Sequence, residues 1–373
     1  MEKWTFKTDI YAGPDSLDRL DSLRGERILI VCDPFMVGSE TFETLVKRLE
    51  QQNQVTVYSD VVPDPPIAKV VKGIEFFNTV GPTTAIAIGG GSAIDLTKGI
   101  LYFAAKLSGK KRQHFIAIPT TSGTGSEVTA FAVITDPTTQ TKYPLLDDAV
   151  LPDEALLTPL FVKSAPPKVT AYSGMDALVH ALEALVSTDS DIFSDALSEK
   201  AIATVFTYLP RCCSADVTEM DRMYMHEASC MAGLAFSRVG VGITHAMAHQ
   251  LGGQFHVPHG LANAILIAPV VAFNAMHNER ALTKYAKVSR ALGFAAHEAA
   301  DKEAVTALVK AILQLASTVQ CPMTITEATG LDPAELKSKV TLLAEKAIED
   351  MTYKTNPCKA TKEELINILL MVL

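Results

Sequence analysis

"AIAIGGGSAIDLTKG", residues 85–99, passes from a short apolar run through three glycines into a segment with helical spacing. A strand that feeds a tight turn and then a helix is half of a βαβ unit, and such units pair their strands in parallel. The pattern repeats on either side. "RILIVCD" (27–33), "QVTVYSDV" (54–61) and "HFIAIPTT" (114–121) read as further strands, and "GSETFETLVKRLEQQ" (38–52) has helical spacing. "VVPDPPI" (61–67) is a rigid connection, because each proline fixes φ and restricts the residue before it. The first part of the chain is therefore expected to be a doubly wound α/β domain.

From about residue 168 the texture changes. "DALSEKAIATVFTYL" (195–209) and "KEAVTALVKAILQLAS" (302–317) have helical periodicity, and strand candidates become rare. The expected organisation is an α/β domain over 1–167 and an all-α domain over 168–373.

Composition narrows the function. The 373 residues suit about two domains, and 48% hydrophobic residues supply ample core. A net charge of −9, with no basic run interleaved with aromatics, argues against nucleic acid as a partner. The opening "MEKWTFKTDIYAG" lacks the apolar segment of a secretory signal. The apolar run "LANAILIAPVVAF" is broken by Asn263 and Pro269 and is too short for a bilayer, so no membrane is expected. Six cysteines show no CxxC pair, which fits reduced thiols in a cytoplasmic compartment.

The glycine turn can be read two ways. Glycine lets a phosphate approach the backbone, and the helix behind it offers N–H groups and a favourable dipole, with Ser92 adding a hydroxyl. Alternatively, the glycines serve only the φ angles of a tight turn. GxGxxG is absent, but the strand–GGGS–helix context favours the nucleotide. A second loop, "IPTTSGTGSEVT" (118–129), follows a strand and is rich in hydroxyls; it suits a pyrophosphate or a plain Ser/Thr turn. Both loops would lie at one edge of a parallel sheet, where ligands bind in this architecture. Asp33 ends a strand, where a carboxylate can hold ribose hydroxyls and repel a 2′-phosphate, although Asp is also a common cap.

"GMDALVHALEALVS" (174–187) sets Asp176 and His180 four residues apart, on one helix face in an apolar surround. Ser173 is expected to cap that helix, placing Asp176 in its first turn. "THAMAHQLGGQFHVPHG" (244–260) holds four histidines, with His245 and His249 again four apart and His259 after the break at Pro258. A lone core histidine, such as His226 or His277, is usually a packed group. A buried Asp without a partner is costly, and a divalent ion gathering one carboxylate and three imidazoles would relieve that cost. A nucleotide loop together with a Lewis acid points to hydride transfer between an alcohol and nicotinamide.

"GGGSAID", "PTTSGTGSEVT", "GMDALVHALEA" and "HAMAHQLGGQFHVPHGLANAI" resemble the iron-containing (group III) alcohol dehydrogenases over essentially the whole chain. The resemblance implies the dehydroquinate synthase-like fold, a Rossmann-like domain followed by a helical one, with the active site in the cleft between them and a homodimeric assembly. It implies Asp176, His180, His245 and His259 as metal ligands and His249 as a nearby proton relay. It places Asp33, Gly90, Gly91, Ser92, Asp95, Thr120, Thr121, Thr124 and Lys142 on NAD(H), and Phe131, Phe236 and Thr352 along the substrate pocket. The metal would be Fe²⁺ or Zn²⁺, since three His and one Asp suit both.

Within the family, "KYPL" (142–145), "QLGGQFHVPHGLANA" and "TNP" (355–357) are similar to the 1-propanol dehydrogenases of propanediol-utilisation microcompartments. That similarity implies a small aldehyde or primary alcohol as substrate, and residence in the cytoplasm or inside a microcompartment beside its other enzymes or shell proteins. Ethanol dehydrogenases of ethanolamine utilisation, and diol or glycerol dehydrogenases, are the alternatives. Asp64, where many relatives carry Asn, and Cys358, in place of a commoner Arg, depart from the family pattern. A dehydroquinate-synthase-type lyase would require extra basic residues in the helical domain. A metal-stabilised scaffold would require no cofactor site.

Overall fold

The computed structural model describes residues 4–109, 112–136, 141–163 and 165–373, with backbone alone for 141 and 142. The chain divides into two compact units, Met1–Ala165 and Pro166–Leu373.

The first unit holds β1 (Asp9–Ala12), β2 (Arg27–Cys32), α1 (Glu40–Glu50), β3 (Gln54–Tyr58), α2 (Ile67–Val80), β4 (Thr84–Gly89), α3 (Gly91–Ser108), β5 (His114–Pro119), β6 (Phe131–Asp136), β7 (Thr141–Leu146), β8 (Glu154–Leu157) and the single turn α4 (Pro159–Val162). Six strands form one parallel sheet in the order β1-β8-β5-β4-β2-β3. Strand alternation divides its side chains between two faces. Ile28, Ile30, Ile86, Ile88, Ile116 and Ile118 belong to one core cluster with Phe42, Leu45 and Leu49 of α1. Leu29, Val31, Ala85, Ala87, Phe115 and Ala117 belong to another, with α2 and α3. Helices thus cover both faces, as an all-parallel sheet requires.

β2 and β4 are neighbours although β3 lies between them in sequence. The winding direction reverses at that pair, and their carboxyl ends carry Asp33 and the glycine turn. A crevice outside such a reversal point is where α/β sheets bind ligands. The antiparallel hairpin β6–β7 was not anticipated from the sequence.

The second unit is helical: α5 (Pro167–Val186), α6 (Ile192–Cys212), α7 (Glu219–Val239), α8 (Ile243–Phe255), α9 (His259–His277), α10 (Glu279–Ala291), α11 (Asp301–Thr318), α12 (Ile325–Thr329), α13 (Pro333–Glu349) and α14 (Lys362–Met371). α5 is buried along most of its length and packs against α6, α7 and α9. α9 is long and apolar enough to cross a membrane, more so than its interrupted apolar run suggested, but 72% of the qualifying window is buried inside the protein. That is the signature of a core helix.

The expected start of α5 needs correction. Pro166 is its N-cap and Pro167 its first residue. Proline suits that first position, since its missing N–H would have no partner there. Ser173 therefore sits inside the helix, its hydroxyl donating to the Val169 carbonyl at 2.7 Å. It is no cap, and Asp176 lies deep in the helix.

Candidate active site

In the first unit, the half-buried Asp33 follows β2 and its Oδ2 accepts the Gly90 N–H at 3.2 Å. Burial lifts its carboxyl above the ordinary range, against the bond from Gly90. Gly90 is the N-cap of α3 and provides no side-chain cap. The helix therefore opens on N–H groups suited to an anion.

None of Gly89, Gly90 and Gly91 has a positive φ, so the turn does not use glycine for its dihedral freedom. Space is the reason: a Cβ on Gly91 would lie 2.9 Å from Thr124 Cγ2. Thr120 N–H donates to the Gly89 carbonyl at 3.0 Å, and Thr121 Oγ1 lies 3.5 Å from where a Gly90 Cβ would be. The structure thus brings Asp33, Gly90, Gly91, Thr120, Thr121 and Thr124 together at the ends of β2, β4 and β5, with Ser92 in the first turn of α3. The Lys142 side chain lies outside the described residues.

Asp95 is engaged within the protein. Its Oδ1 accepts Ser126 Oγ at 2.6 Å and its Oδ2 the Val133 N–H at 2.9 Å, so this carboxylate holds the second loop to α3. One helical turn on, the fully buried Lys98 does the same work. Its ammonium donates to Ser126 Oγ (2.9 Å), the Thr129 carbonyl (2.9 Å) and the Phe131 carbonyl (2.7 Å). Burial lowers Lys98 to about 8, with Asp95 and Glu127 opposing the shift. Burial raises Glu127 to about 7, and its Oε2 has no hydrogen-bond partner. Sequence reasoning missed Lys98 and Glu127, although both lie inside the quoted motifs.

In the second unit, α5 supplies Asp176 and His180, α8 supplies His245 and His249, and His259 is the first residue of α9. One donor atom from each of Asp176, His180, His245 and His259 lies within 4.8 Å of all the others. The first three are buried and His259 is half-buried. His259 Nε2 and His245 Nε2 stand 3.7 and 4.0 Å from Asp176 Oδ1, too far for a direct hydrogen bond. Two ligands held by one ion at about 2.1 Å and a tetrahedral angle are separated by roughly 3.4 Å. The set is therefore close to the geometry that one divalent cation would draw in, and its chemistry, one carboxylate and three imidazoles, fits such an ion. His245 is held well below its ordinary pKa by burial, reinforced by His180 and His249, so it is neutral, the form a metal ligand needs.

Two residues overlooked in the sequence surround this set. Asn263, one turn after His259, has its Nδ2 at 2.6 Å from Asp176 Oδ1, 3.1 Å from His245 Nε2 and 3.2 Å from His259 Nε2. Glu183 Oε2 lies 2.6 Å from His245 Nδ1, and as a carboxylate it accepts the proton that this nitrogen carries in the metal-binding tautomer. Both are polar residues at helical spacing from a ligand candidate, the one signal that could have revealed them.

His249 is oriented differently. Its Nδ1–H donates to Asp350 Oδ2 at 2.8 Å, and its ring stacks on His259 with centroids 5.5 Å apart. Burial pushes the Asp350 carboxyl up, but the bonds from His249 and Thr352 outweigh it and leave it below the usual range. Thr352 donates through both N–H and Oγ1 to Asp350 Oδ1. The Phe236 ring stacks on His180 at 4.2 Å. Phe131 begins β6 in the first unit, where its carbonyl is held by Lys98. His277 is not the packed core group expected: it is exposed at the end of α9, with its Nδ1–H donating to the Phe273 carbonyl at 2.9 Å.

A parallel-sheet dinucleotide fold and a His/Asp donor set for a divalent ion define a class, the metal-dependent dehydrogenases. The comparisons with known proteins give the family. The iron-containing alcohol dehydrogenase model matches residues 7–159, and the C-terminal model of the Fe-containing alcohol dehydrogenase family matches 170–373. The chain is 42% identical over 369 residues to the 1-propanol dehydrogenase PduQ of Salmonella typhimurium strain LT2, covering 99% of each. It is 37% identical to the NADPH-dependent butanol dehydrogenase of Clostridium saccharobutylicum, covering 99% of this chain and 97% of that one. Among solved structures, a 1,3-propanediol oxidoreductase superposes with a TM-score of 0.92 at 28% identity, covering 100% of both chains.

The chain belongs to the iron-containing alcohol dehydrogenase family. It is an oxidoreductase that interconverts alcohols and aldehydes, with NAD(H) and ferrous iron as cofactors. That membership decides for dehydrogenase chemistry over the lyase and scaffold readings.

Proposed function

We propose that this enzyme reduces propanal and neighbouring short aldehydes to primary alcohols, regenerating NAD from NADH, and runs the reverse reaction when alcohol is in excess. The observation that carries the reading is the convergence of the Asp176, His180, His245 and His259 donor atoms within 4.8 Å. These four would hold the iron, with zinc as the other ion that suits them. When bound, the iron polarises the carbonyl and the nicotinamide supplies the hydride.

The chain's own residues do the rest. Asp33 selects NADH by facing the ribose, where a 2′-phosphate would meet a carboxylate. The capless start of α3, with Gly90, Gly91, Ser92, Thr120, Thr121 and Thr124 around it, receives the pyrophosphate. Asp95 acts through the loop it anchors, and Lys142 belongs to the same cofactor surface by the family resemblance. His249, held through Nδ1 by Asp350, leaves Nε2 to pass a proton between the reacting oxygen and solvent. Phe236, stacked on His180, walls the substrate site beside the metal, and Phe131 and Thr352 are assigned to substrate by the family resemblance alone. Aromatic walls favour a small apolar aldehyde.

The similarity to 1-propanol dehydrogenases supports the substrate. By the same resemblance we propose a homodimer that works within a microcompartment, beside its other enzymes or its shell proteins. The test is an aldehyde panel with NADH on iron-reconstituted enzyme. Propanal should be among the best substrates, with ethanal and butanal close behind, since one methylene in an apolar pocket is worth about 1–3 kcal/mol. Preference for glycerol, a diol or a charged aldehyde would reject the substrate and leave the chemistry standing.

A further inference from the structure

Glu183 lies outside the four-donor set but touches it. It follows His180 by three residues and Asp176 by seven on α5, so all three share one helix face. Its side chain is buried, and both oxygens are occupied. Oε1 accepts the Thr244 N–H at 2.7 Å. Oε2 accepts the Gly242 N–H at 2.9 Å and the Nδ1–H of His245 at 2.6 Å.

Two of these donors are backbone groups at the start of α8. That helix has no cap of its own, because its N-cap is Gly242. A side chain could not replace the glycine. Its Cβ would stand 2.6 Å from Asn356 Oδ1 and 2.9 Å from Glu183 Oε1. The start of α8 is therefore capped from elsewhere, by Glu183 and by Asn356, whose Oδ1 accepts the Ile243 N–H at 3.3 Å.

The third contact has a chemical consequence. With Nδ1–H committed to Glu183, the lone pair of His245 is on Nε2, the nitrogen that faces Asp176 Oδ1 at 4.0 Å. We propose that Glu183 is the positioning residue of the metal centre: it fixes the tautomer and ring plane of His245 and ties this ligand to Asp176 and His180. The proposal rests on the metal assignment above. A cap alone would stabilise α8 and leave ion affinity unchanged. A carboxylate behind a ligand imidazole orients the ring and raises its basicity, and losing such a partner typically weakens metal binding about 10–100-fold.

Competition titration of the apo-protein with Co²⁺ or Fe²⁺ against a chelator reads this directly, and the visible spectrum of bound Co²⁺ reports ligand geometry. Glu183→Gln keeps the shape and one acceptor oxygen but presents an NH₂ group and no charge to Nδ1–H. It should weaken Kd about 10–100-fold and alter the Co²⁺ spectrum. Asn356→Ala, which removes the other cap, should lower thermal stability with Kd within about threefold of wild type. If Glu183→Gln does not fold, Glu183→Asp is measured, which keeps the charge but shortens the reach, and it too should bind more weakly. A folded Glu183 variant with wild-type Kd and spectrum overturns the proposal. A His245→Ala protein with wild-type Kd would instead overturn the metal assignment beneath it.

Discussion

Gly91→Ala probes the nucleotide loop with a single methyl. The added Cβ would lie 2.9 Å from Thr124 Cγ2, and 3.3 Å from both Thr124 Cβ and Oγ1. Carbon atoms in contact settle at about 3.5–4.0 Å, so the threonine must retreat by at least roughly 0.6 Å. Thr124 cannot swing freely, because its Oγ1 accepts the Ser126 N–H at 3.2 Å and Ser126 is held by Asp95 and Lys98. Overpacking of this kind costs about 1–3 kcal/mol. If the strain falls on the cofactor-binding conformation, NADH should bind roughly 5- to 150-fold more weakly. Thr124→Ser removes the colliding methyl and keeps the hydroxyl, so the double variant should recover most of the affinity. Fluorescence titration with NADH, run with a thermal melt for each protein, separates binding loss from unfolding. Wild-type affinity in Gly91→Ala, or a double variant no better than the single, would show that Thr124 does not crowd position 91 in the cofactor-binding conformation.

Asp33→Gly should narrow the preference for NADH over NADPH, measured as the ratio of kcat/KM values; equal efficiency with both cofactors in wild type would remove Asp33 from the ribose. Glu127→Gln tests a buried acid. Its folded pKa of about 7 lies above the ordinary 4.5, so its contribution to stability is complete below about 4.5 and lost as pH rises through about 7. The urea stability of Glu127→Gln relative to wild type should therefore increase from pH 5 to pH 8, by at most about 3 kcal/mol; a pH-independent difference would contradict this. Phe236→Ala removes the ring stacked on His180 and should raise kcat/KM for five- and six-carbon aldehydes relative to propanal, whereas an unchanged chain-length profile would take Phe236 off the pocket wall.

Much of the fold could be read from the chain because the parallel core writes itself as short, continuous apolar runs. β2, β4 and β5 are buried almost throughout, so their sequences carry little else. β1 and β8 escaped for opposite reasons. β1 is four residues long and mostly exposed, and its partner lies some 140 residues away, beyond any local pattern. β8, "EALL", is buried but reads as helix-forming. Ser173 misled because a serine ahead of an apolar helix looks like a cap, while the Pro166–Pro167 pair was the stronger start signal. The glycine turn was legible as a candidate site, but not the crowding behind it: a Cβ would meet Ala93 and Asp33 at Gly89 and Thr124 at Gly91, and none of the three glycines has a positive φ.

Ligand candidates stood out as spaced His and Asp residues. Their supporting residues did not, since Asn263, Glu183 and Asp350 gain meaning only when α5, α8, α9 and the segment after α13 come together. Asp95 shows the reverse: a residue whose motif suggests cofactor contact proves to have both oxygens engaged by the protein.

The metal centre we propose holds one ion among Asp176, His180, His245 and His259, with His249 beside it but not bound to it. Iron content settles this most directly, measured per chain after anaerobic Fe²⁺ reconstitution and removal of free metal, in wild type, His259→Ala and His249→Ala. Wild type and His249→Ala should each hold about one ion per chain, with activity lost in the latter, and His259→Ala should hold far less than one. Full iron and full turnover in His259→Ala, or loss of iron in His249→Ala, would contradict it.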